Sequence, residues 1–313
     1  MPKVYIIVLN YNSGKDIHEC LESLKDISYE NYHIFVVDNN STDNSPQKIK
    51  EFIKKYPKLP TTYYSLPTNY GFAGGNNRGI KKALEQGADY ALILNPDTVV
   101  DPDFLDKLVE VAENWKKNGK LAFFGPRILL HASRFTLHAS RIYSNGGIIN
   151  WSQTKGMLKD YGKLASELVE TKAFETQYVT GTCLLVSKEI IGKIGLMRED
   201  YFLYYEDTDW AIRARKQGIA QVIVPQSVIW HKVSRSTKAG SFSYIYYHTR
   251  NGLYCGWNNG NAFQKMAIIG MSKFIFFKQL IKLAIPSKRV WAKAVMRGVC
   301  DFWRGIKGKH DET

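Results

Sequence analysis

A chain of 313 residues, 44% of them hydrophobic, can bury one large core and carry an appendage, and its composition excludes disorder over most of its length. Its formal net charge of +14 is unevenly placed: from Lys232 onward stand 15 Lys and Arg against three Asp and Glu, so the body is nearly neutral and the tail strongly basic. Such a tail suits a polyanion, either a nucleic acid or an anionic membrane face. Four cysteines, Cys20, Cys183, Cys255 and Cys300, are too dispersed for a zinc ribbon or a disulfide framework, and a reducing cytosol is the default expectation.

The first half alternates between two periods. Lys3–Leu9 is a β-rich apolar run, ended by Asn10 and Asn12 too early for a signal peptide, and Asp16–Leu24 has helical spacing. His33–Val37 reads as a second buried strand, closed by the turn-rich stretch from Asp38 to Asp43. Ser45-Pro46 marks a helix start leading into Gln47–Tyr56. Thr61–Leu66 is a third strand, Asn76–Glu85 a helix, Tyr90–Leu94 a fourth strand, and Asp101-Pro102-Asp103 opens another helix with acids at its positive end. This alternation predicts an α/β fold with a parallel, doubly wound sheet covered by helices on both faces. Residues 125–175 carry no clear period.

Further on, Tyr178–Val186 is predicted as a strand, Lys188–Ile194 and Asp207–Gln217 as helices, and Gln221–Val224 and Val228–His231 as extended pieces. After Ser241 the pattern becomes long helices rich in aromatic and basic residues. Their most apolar stretch, Ala262 to Ile285, is interrupted by Lys265, Lys273, Lys278 and Lys282, which fits a helix lying in a membrane interface better than one crossing it. Packing of that helix on the body is the plainer alternative.

Ligands of open α/β sheets bind outside the carboxyl ends of the strands, so the polar residues ending each strand are the first candidates. Asp97, in Asn95-Pro96-Asp97 after Tyr90–Leu94, is placed to hold a divalent cation together with substrate phosphates, although an Asn-Pro-Asp turn alone is commonplace. The segment from Asn69 to Gly79 interleaves glycines with Asn76, Asn77 and Arg78 at a helix entry. It would present backbone amides and one fixed charge to phosphate, or be only a loose loop. Glu206, Asp207 and Asp209 sit at the mouth of a helix behind Tyr201, Phe202, Tyr204 and Tyr205, as a general base would, and capping of the helix explains one or two of them equally well. His231 closes the last strand, as a metal ligand or as an ordinary structural histidine.

Taken in order, these segments resemble glycosyltransferase family 2, in its bacterial rhamnosyltransferase-like branch. The matching stretches are Val8 to Asn12, Val36 to Asp43, Asn69 to Gly79, Asn95-Pro96-Asp97, Gly181 to Val186, Glu206 to Trp210, and His231. The resemblance implies a GT-A fold, a Rossmann-like mixed sheet with helices on both faces, over residues 1–232, a helical extension over residues 233–313, and an inverting transfer from a nucleoside-diphosphate sugar. dTDP-L-rhamnose is the donor that the branch suggests; UDP-galactose or UDP-N-acetylglucosamine are alternatives.

By the same resemblance, Asp38 contacts the donor's pyrimidine base beside Asn10 and Asn12, Asn69 and Arg78 hold the donor, and Asp97 is the last carboxylate of an Asp-x-Asp motif binding Mg2+ or Mn2+. Asn95 departs from that motif and becomes a donor-binding side chain, which gives His231 more weight as the second metal ligand. Asp207 is the catalytic base with Glu206 beside it, and Asp209 supports or binds the acceptor. The acceptor is expected to be a lipid-linked or polysaccharide glycan, the location the inner face of the cell membrane, and a homo-oligomer is possible. No nucleic-acid module is recognisable. The other function considered is a catalytically silent nucleotide-sugar sensor or membrane scaffold.

Overall fold

The computed structural model describes residues 1–131, 140–151, 155–233 and 240–310. The chain opens with β1 (Val4–Asn10), α1 (Ile17–Leu24), β2 (Tyr32–Asp38), α2 (Ser45–Lys55), β3 (Thr61–Ser65), α3 (Gly71–Glu85) and β4 (Tyr90–Leu94). These four strands pair in parallel in the order β3-β2-β1-β4. All of β1 is buried because each face has its own helices. Val4, Ile6 and Val8 pack with Ile17 and Leu21 of α1, while Tyr5, Ile7 and Leu9 pack with Ala73, Ile80 and Ala83 of α3. A strand with two covered faces reads as an unbroken apolar run.

The glycine-rich segment is not a loop. α3 begins at Gly71, before the expected Asn76, and its glycines serve packing. A Cβ on Gly79 would lie 2.6 Å from Cγ2 of Ile7, so only glycine lets the helix approach β1 this closely.

There follow β5 (Thr98–Val100), α4 (Phe104–Lys117), β6 (Ala122–Leu130), β7 (Ile142–Ser144), β8 (Gly147–Asn150), β9 (Lys155–Leu158), β10 (Phe174–Glu175), β11 (Cys183–Ser187), α5 (Lys188–Ile194), α6 (Glu206–Lys216) and β12 (Ala220–His231). The sheet runs β10-β12-β6-β11-β4-β1-β2-β3, with β5 on β12 and β7 on β6. It is mixed rather than wholly parallel, because β11 enters antiparallel to both β4 and β6. The two extended pieces expected near 221 and 228 are one strand, whose register shifts between Val224 and Val228, around Pro225. The stretch with no legible period holds most of β6, which is nearly all buried, and the short β7 to β10; β7 and β8 bury only alternate residues and β9 buries none.

The tail forms α7 (Phe242–Asn259), α8 (Ala262–Leu283) and α9 (Arg289–Trp303). α7 shares a buried cluster with the body, in which Tyr205, Ala211 and Ile212 meet Leu253, Tyr254 and Val299. Among the described residues no helix is long and apolar enough to cross a membrane.

Candidate active site

β1, β2 and β4 run in one direction, so Asn10, Asp38 and Asn95 emerge at one edge of the sheet. β11, antiparallel to β4, begins at that edge, and β12, parallel to β6, ends there at His231. The topology therefore gathers segments distant in sequence.

At the β1–β2 end the polar side chains hold one another. Asn10 and Asp38 are register partners, and Asn10 Nδ2 donates to Asp38 Oδ1 at 2.6 Å and to Ser45 Oγ at 2.8 Å. Both are buried, so each bond spares a desolvated group from being left unpaired. Asn12, with φ of +50°, accepts through Oδ1 from the amides of Thr42 and Asp43, which pins the loop after Asp38. Asn39, unmarked in the sequence reading although it adjoins Asp38, ties β2 to α3: its Nδ2 donates to Asn69 Oδ1 and to the Gly71 carbonyl, and its Oδ1 accepts from the Tyr70 amide. Asn69 thus shapes the start of α3.

Arg78 lies two turns into α3, but its side chain folds back toward the start of the helix. Its guanidinium donates to the Gly74 carbonyl at 2.8 Å, stacks on Tyr70, 3.4 Å from the ring centre, and pairs with Glu199 at 3.2 Å. It is thus held within the protein, beside the residue that precedes Gly71.

Asp97 and His231 do meet. β5 pairs with β12 so that Thr98 stands opposite His231, and the Lys232 amide donates to the Asp97 carbonyl at 2.9 Å. His231 Nε2 lies 3.1 Å from Asp97 Oδ1, and both residues are buried. The rings of Tyr143 and His231 stand nearly perpendicular with their centres 4.3 Å apart, and His231 Nδ1 is buried with no hydrogen-bond partner. One carboxylate and one imidazole suit a divalent transition ion such as Mn2+, with substrate phosphate completing the shell. Among the described residues no third His, Cys, Asp or Glu joins them.

The segment before β11 links this pair to the acidic helix start. The Asn95 amide donates to the Thr182 carbonyl at 2.9 Å, and the Gly181 amide donates to Asp207 Oδ2 at 2.9 Å. The strand expected from Tyr178 starts only at Cys183; ahead of it the Gly181 amide is given to the Asp207 side chain. Thr208 donates through its amide to Asp207 Oδ1 at 2.6 Å. Burial raises the Asp207 pKa against the pull of these hydrogen bonds. Glu206 is 5% exposed with no partner for Oε2; burial first, and then the charge of Asp207, pushes its pKa up to about 8. The pair can accept a proton where an ordinary carboxylate would be a poor base.

Asp209 points elsewhere. Wholly buried, it accepts from Arg213 Nε at 2.9 Å, Tyr201 Oη at 3.1 Å and Asn259 Nδ2 at 2.7 Å, so it locks α6 to its neighbours.

The residues leading into α6 are strained. Phe202, Tyr204 and Tyr205 have φ of +66°, +68° and +75°, a region that bulky side chains avoid. Asn251 of α7 faces their backbone: its Nδ2 lies 2.9, 2.7 and 3.1 Å from the carbonyls of Tyr201, Leu203 and Tyr204. Arg250, fully buried, donates to the Tyr201 carbonyl at 3.1 Å and to Tyr246 Oη, which in turn donates to Asp301 at 2.8 Å. Tyr246-Tyr247 and Arg250-Asn251, close together in the sequence, were the available signal for this contact, but which loop they meet was not legible.

Residues 5–195 match the model of glycosyl transferase family 2. The chain is 26% identical over 263 residues to the N-acetylglucosaminyl-diphospho-decaprenol L-rhamnosyltransferase of Mycobacterium tuberculosis, covering 79% of this chain and 81% of the relative. To the dTDP-rhamnosyl transferase RfbF of Shigella flexneri it is 25% identical, over 74% of this chain and 69% of that one. Among solved structures, the mannosyltransferase PcManGT of Pyrobaculum calidifontis, in complex with GDP-Man and Mn2+, superposes with a TM-score of 0.59 at 14% identity, covering 96% of this chain and 87% of that one. The fold is GT-A.

Proposed function

This chain belongs to glycosyl transferase family 2, and on that premise we propose that it is an inverting transferase moving a sugar, dTDP-L-rhamnose being the first donor to test, onto a hydroxyl of a lipid-linked glycan. The donor class and the acceptor class are carried by the likeness to the mycobacterial and Shigella rhamnosyltransferases. The observation that favours transfer over a silent nucleotide-sugar sensor is the pair of backbone contacts at Gly181 and Thr182. They join a proton-accepting pair, buried Glu206 and half-buried Asp207, to the strand end beside Asp97 and His231.

In this reading the Asn10–Asp38 pair receives the base of the nucleotide at the β1–β2 end. Asp97 and His231 would hold a divalent ion, which supplies charge neutralisation to the departing diphosphate. Asp207 takes the proton from the acceptor hydroxyl as that oxygen attacks the anomeric carbon from the side opposite the diphosphate, so the linkage forms with inversion. Glu206, beside Asp207 and shielded from water, keeps the affinity of the pair for that proton high. The basic C-terminal part meets the membrane in which such an acceptor is embedded, on its cytoplasmic side.

The test is a panel of sugar nucleotides with Mg2+ or Mn2+, read by thermal stabilisation and by transfer to a lipid-diphosphate sugar. The cognate donor at about 100 times its dissociation constant should add about 2.7 kcal/mol of stability. Stabilisation without transfer by any donor–acceptor pair would favour the sensor; no stabilisation by any donor would remove both.

A further inference from the structure

We propose that the outward face of α8 is a lipid-docking surface that lays the chain on an anionic bilayer without crossing it. This identifies the membrane element of the reading above and depends on none of its chemistry. Phe263, Met266, Phe274, Phe277 and Ile281 are 80%, 75%, 67%, 61% and 74% exposed. Their spacing, with Gly270 between Met266 and Phe274, returns to one side of the helix every three or four residues. The opposite side buries Ser272 and Gln279 alongside Ile268. α8 thus packs Met271, Ile275 and Phe276 inward together with a hydroxyl and an amide, and still leaves phenyl rings outward. A surface helix packed for solvent alone turns polar side chains outward instead.

Charge selects the occupant. From residue 233 to residue 300 there is no Asp or Glu, while Lys273 and Lys278 are exposed beside the stripe and Lys265 and Lys282 are half-exposed along it. Val290 and Trp291 continue the apolar surface onto α9, flanked by exposed Lys288, Arg289 and Lys293. A second copy meeting this face would set lysines against lysines, whereas anionic headgroups complement them and acyl chains take the rings. Aromatic rings ringed by cations are also the composition that settles at the headgroup boundary.

The test uses the full chain without substrates, sedimented with phosphatidylcholine vesicles with and without phosphatidylglycerol. The chain should partition onto the anionic vesicles and be released by salt. The triple variant Phe274→Ser, Phe277→Ser, Ile281→Ser should lower partitioning at least tenfold. Lys273→Gln and Lys278→Gln should lower it about fivefold each. All five side chains are exposed, so folding is expected to survive, and the melting temperature checks this. Partitioning unchanged in the triple variant, or equal on neutral and anionic vesicles, would overturn the proposal. So would self-association in place of vesicle binding, abolished by the triple variant.

A separate observation carries a second inference: the structure assigns Asn251, with Arg250, as positioning residues for the reaction. Three positive-φ residues hold the turn into α6 only if something outside opposes their relaxation, and the amide of Asn251 lies across three carbonyls of that turn. Tyr205, the last of the three, immediately precedes Glu206 and Asp207. Freeing the turn would let the start of α6 swing, and misplacement by about 1 Å of a reacting group costs on the order of 100-fold in rate. The donor end, built on β1, β2 and β4, would be untouched.

Asn251→Ala should therefore lower kcat about 10- to 100-fold while donor KM changes less than about twofold. The acidic limb of its pH–rate profile should move to lower pH, as water reaches the carboxylate pair. Where that variant does not accumulate as folded protein, Arg250→Lys, which loses the guanidinium contact with the Tyr201 carbonyl, is measured in the same way. A lowered melting temperature with kcat unchanged, or an unmoved pH limb with kcat and KM worsening together, would reduce both residues to structural ones.

Discussion

The strand-end edge and helix α8 solve opposite problems with the same kinds of residue. At the edge, Asn10, Asp38, Asn39, Asp97, His231 and Asp207 are polar groups held by fixed partners before any substrate arrives. On α8 the arrangement is reversed, with Ser272 and Gln279 inside and Phe274 and Phe277 facing out. The edge works by geometry, so moving one atom should cost rate. The helix works by surface area and charge, so its residues should contribute in graded and roughly interchangeable amounts. α7 touches both regimes, sharing a core with α6 and reaching the turn before Glu206 with two polar side chains.

The largest effect that can break this contrast lies at the edge. Asp207→Asn keeps shape but removes the proton acceptor, and turnover should fall by about 10²–10⁴ while donor binding persists. Calorimetry for binding and a transfer assay for rate separate the two. Turnover within a few-fold of the parent would show that geometry at this position does not carry the reaction.

Asp97→Ala should come next. It strips the carboxylate from a buried imidazole partner, and metal-supported donor affinity should fall at least tenfold, about what is lost when support of a metal ligand is removed. Donor affinity measured with and without Mn2+ is the readout. Equal affinity in both conditions, for parent and variant alike, would remove the ion from the scheme.

How much of this was legible in advance follows the physics of each signal. Buried parallel strands announce themselves, because two covered faces demand unbroken apolar runs, and β1 to β4 were predicted nearly residue by residue. A mixed sheet was expected only through the family resemblance, and that β11 is the strand entering antiparallel was not legible, since strand direction leaves no trace in local composition. Asp97 and His231 were each visible, but their contact depends on β5 folding onto β12 across 134 residues of chain. Glycines at 75 and 79 suggested a phosphate loop, when what they permit is close approach of α3 to Leu9 and Ile7. The uncovered face of α8 could not be read: in a helix apolar on nearly every side, only the packing shows which side is left exposed.

Glu206→Gln sharpens the contrast through pH. A carboxyl raised in the folded state to about 8, against its ordinary 4.5, binds more protons folded than unfolded between those values. Its contribution to stability is therefore fully present below about 4.5 and is lost as pH rises through 8. The melting temperature of the parent should drop across that window, and that of the variant should drop less. Below about 8 the Glu206 carboxyl is already neutral, so the same substitution should leave the acidic limb of kcat/KM, which reports Asp207, close to where it stands in the parent. Identical melting curves against pH in both proteins would mean that Glu206 is solvated and takes no part in the pair.

The smallest expected effect is the most pointed, because it asks whether a side chain already engaged within the protein is also a ligand. Arg78 lies within the segment whose glycines and asparagines suggest donor binding, and its guanidinium, folded back toward the start of α3, is already held by Tyr70 and Glu199. Arg78→Gln should leave donor affinity within about twofold of the parent and cost no more than the ~0–1 kcal/mol typical of a partly exposed ion pair. Measuring donor affinity by calorimetry alongside the melting temperature distinguishes the outcomes. If affinity instead fell tenfold or more with stability intact, the guanidinium would have to leave Tyr70 and reach the phosphates when donor binds. The start of α3 would then belong to the moving parts of the site, and the edge would be only partly formed before its substrate arrives.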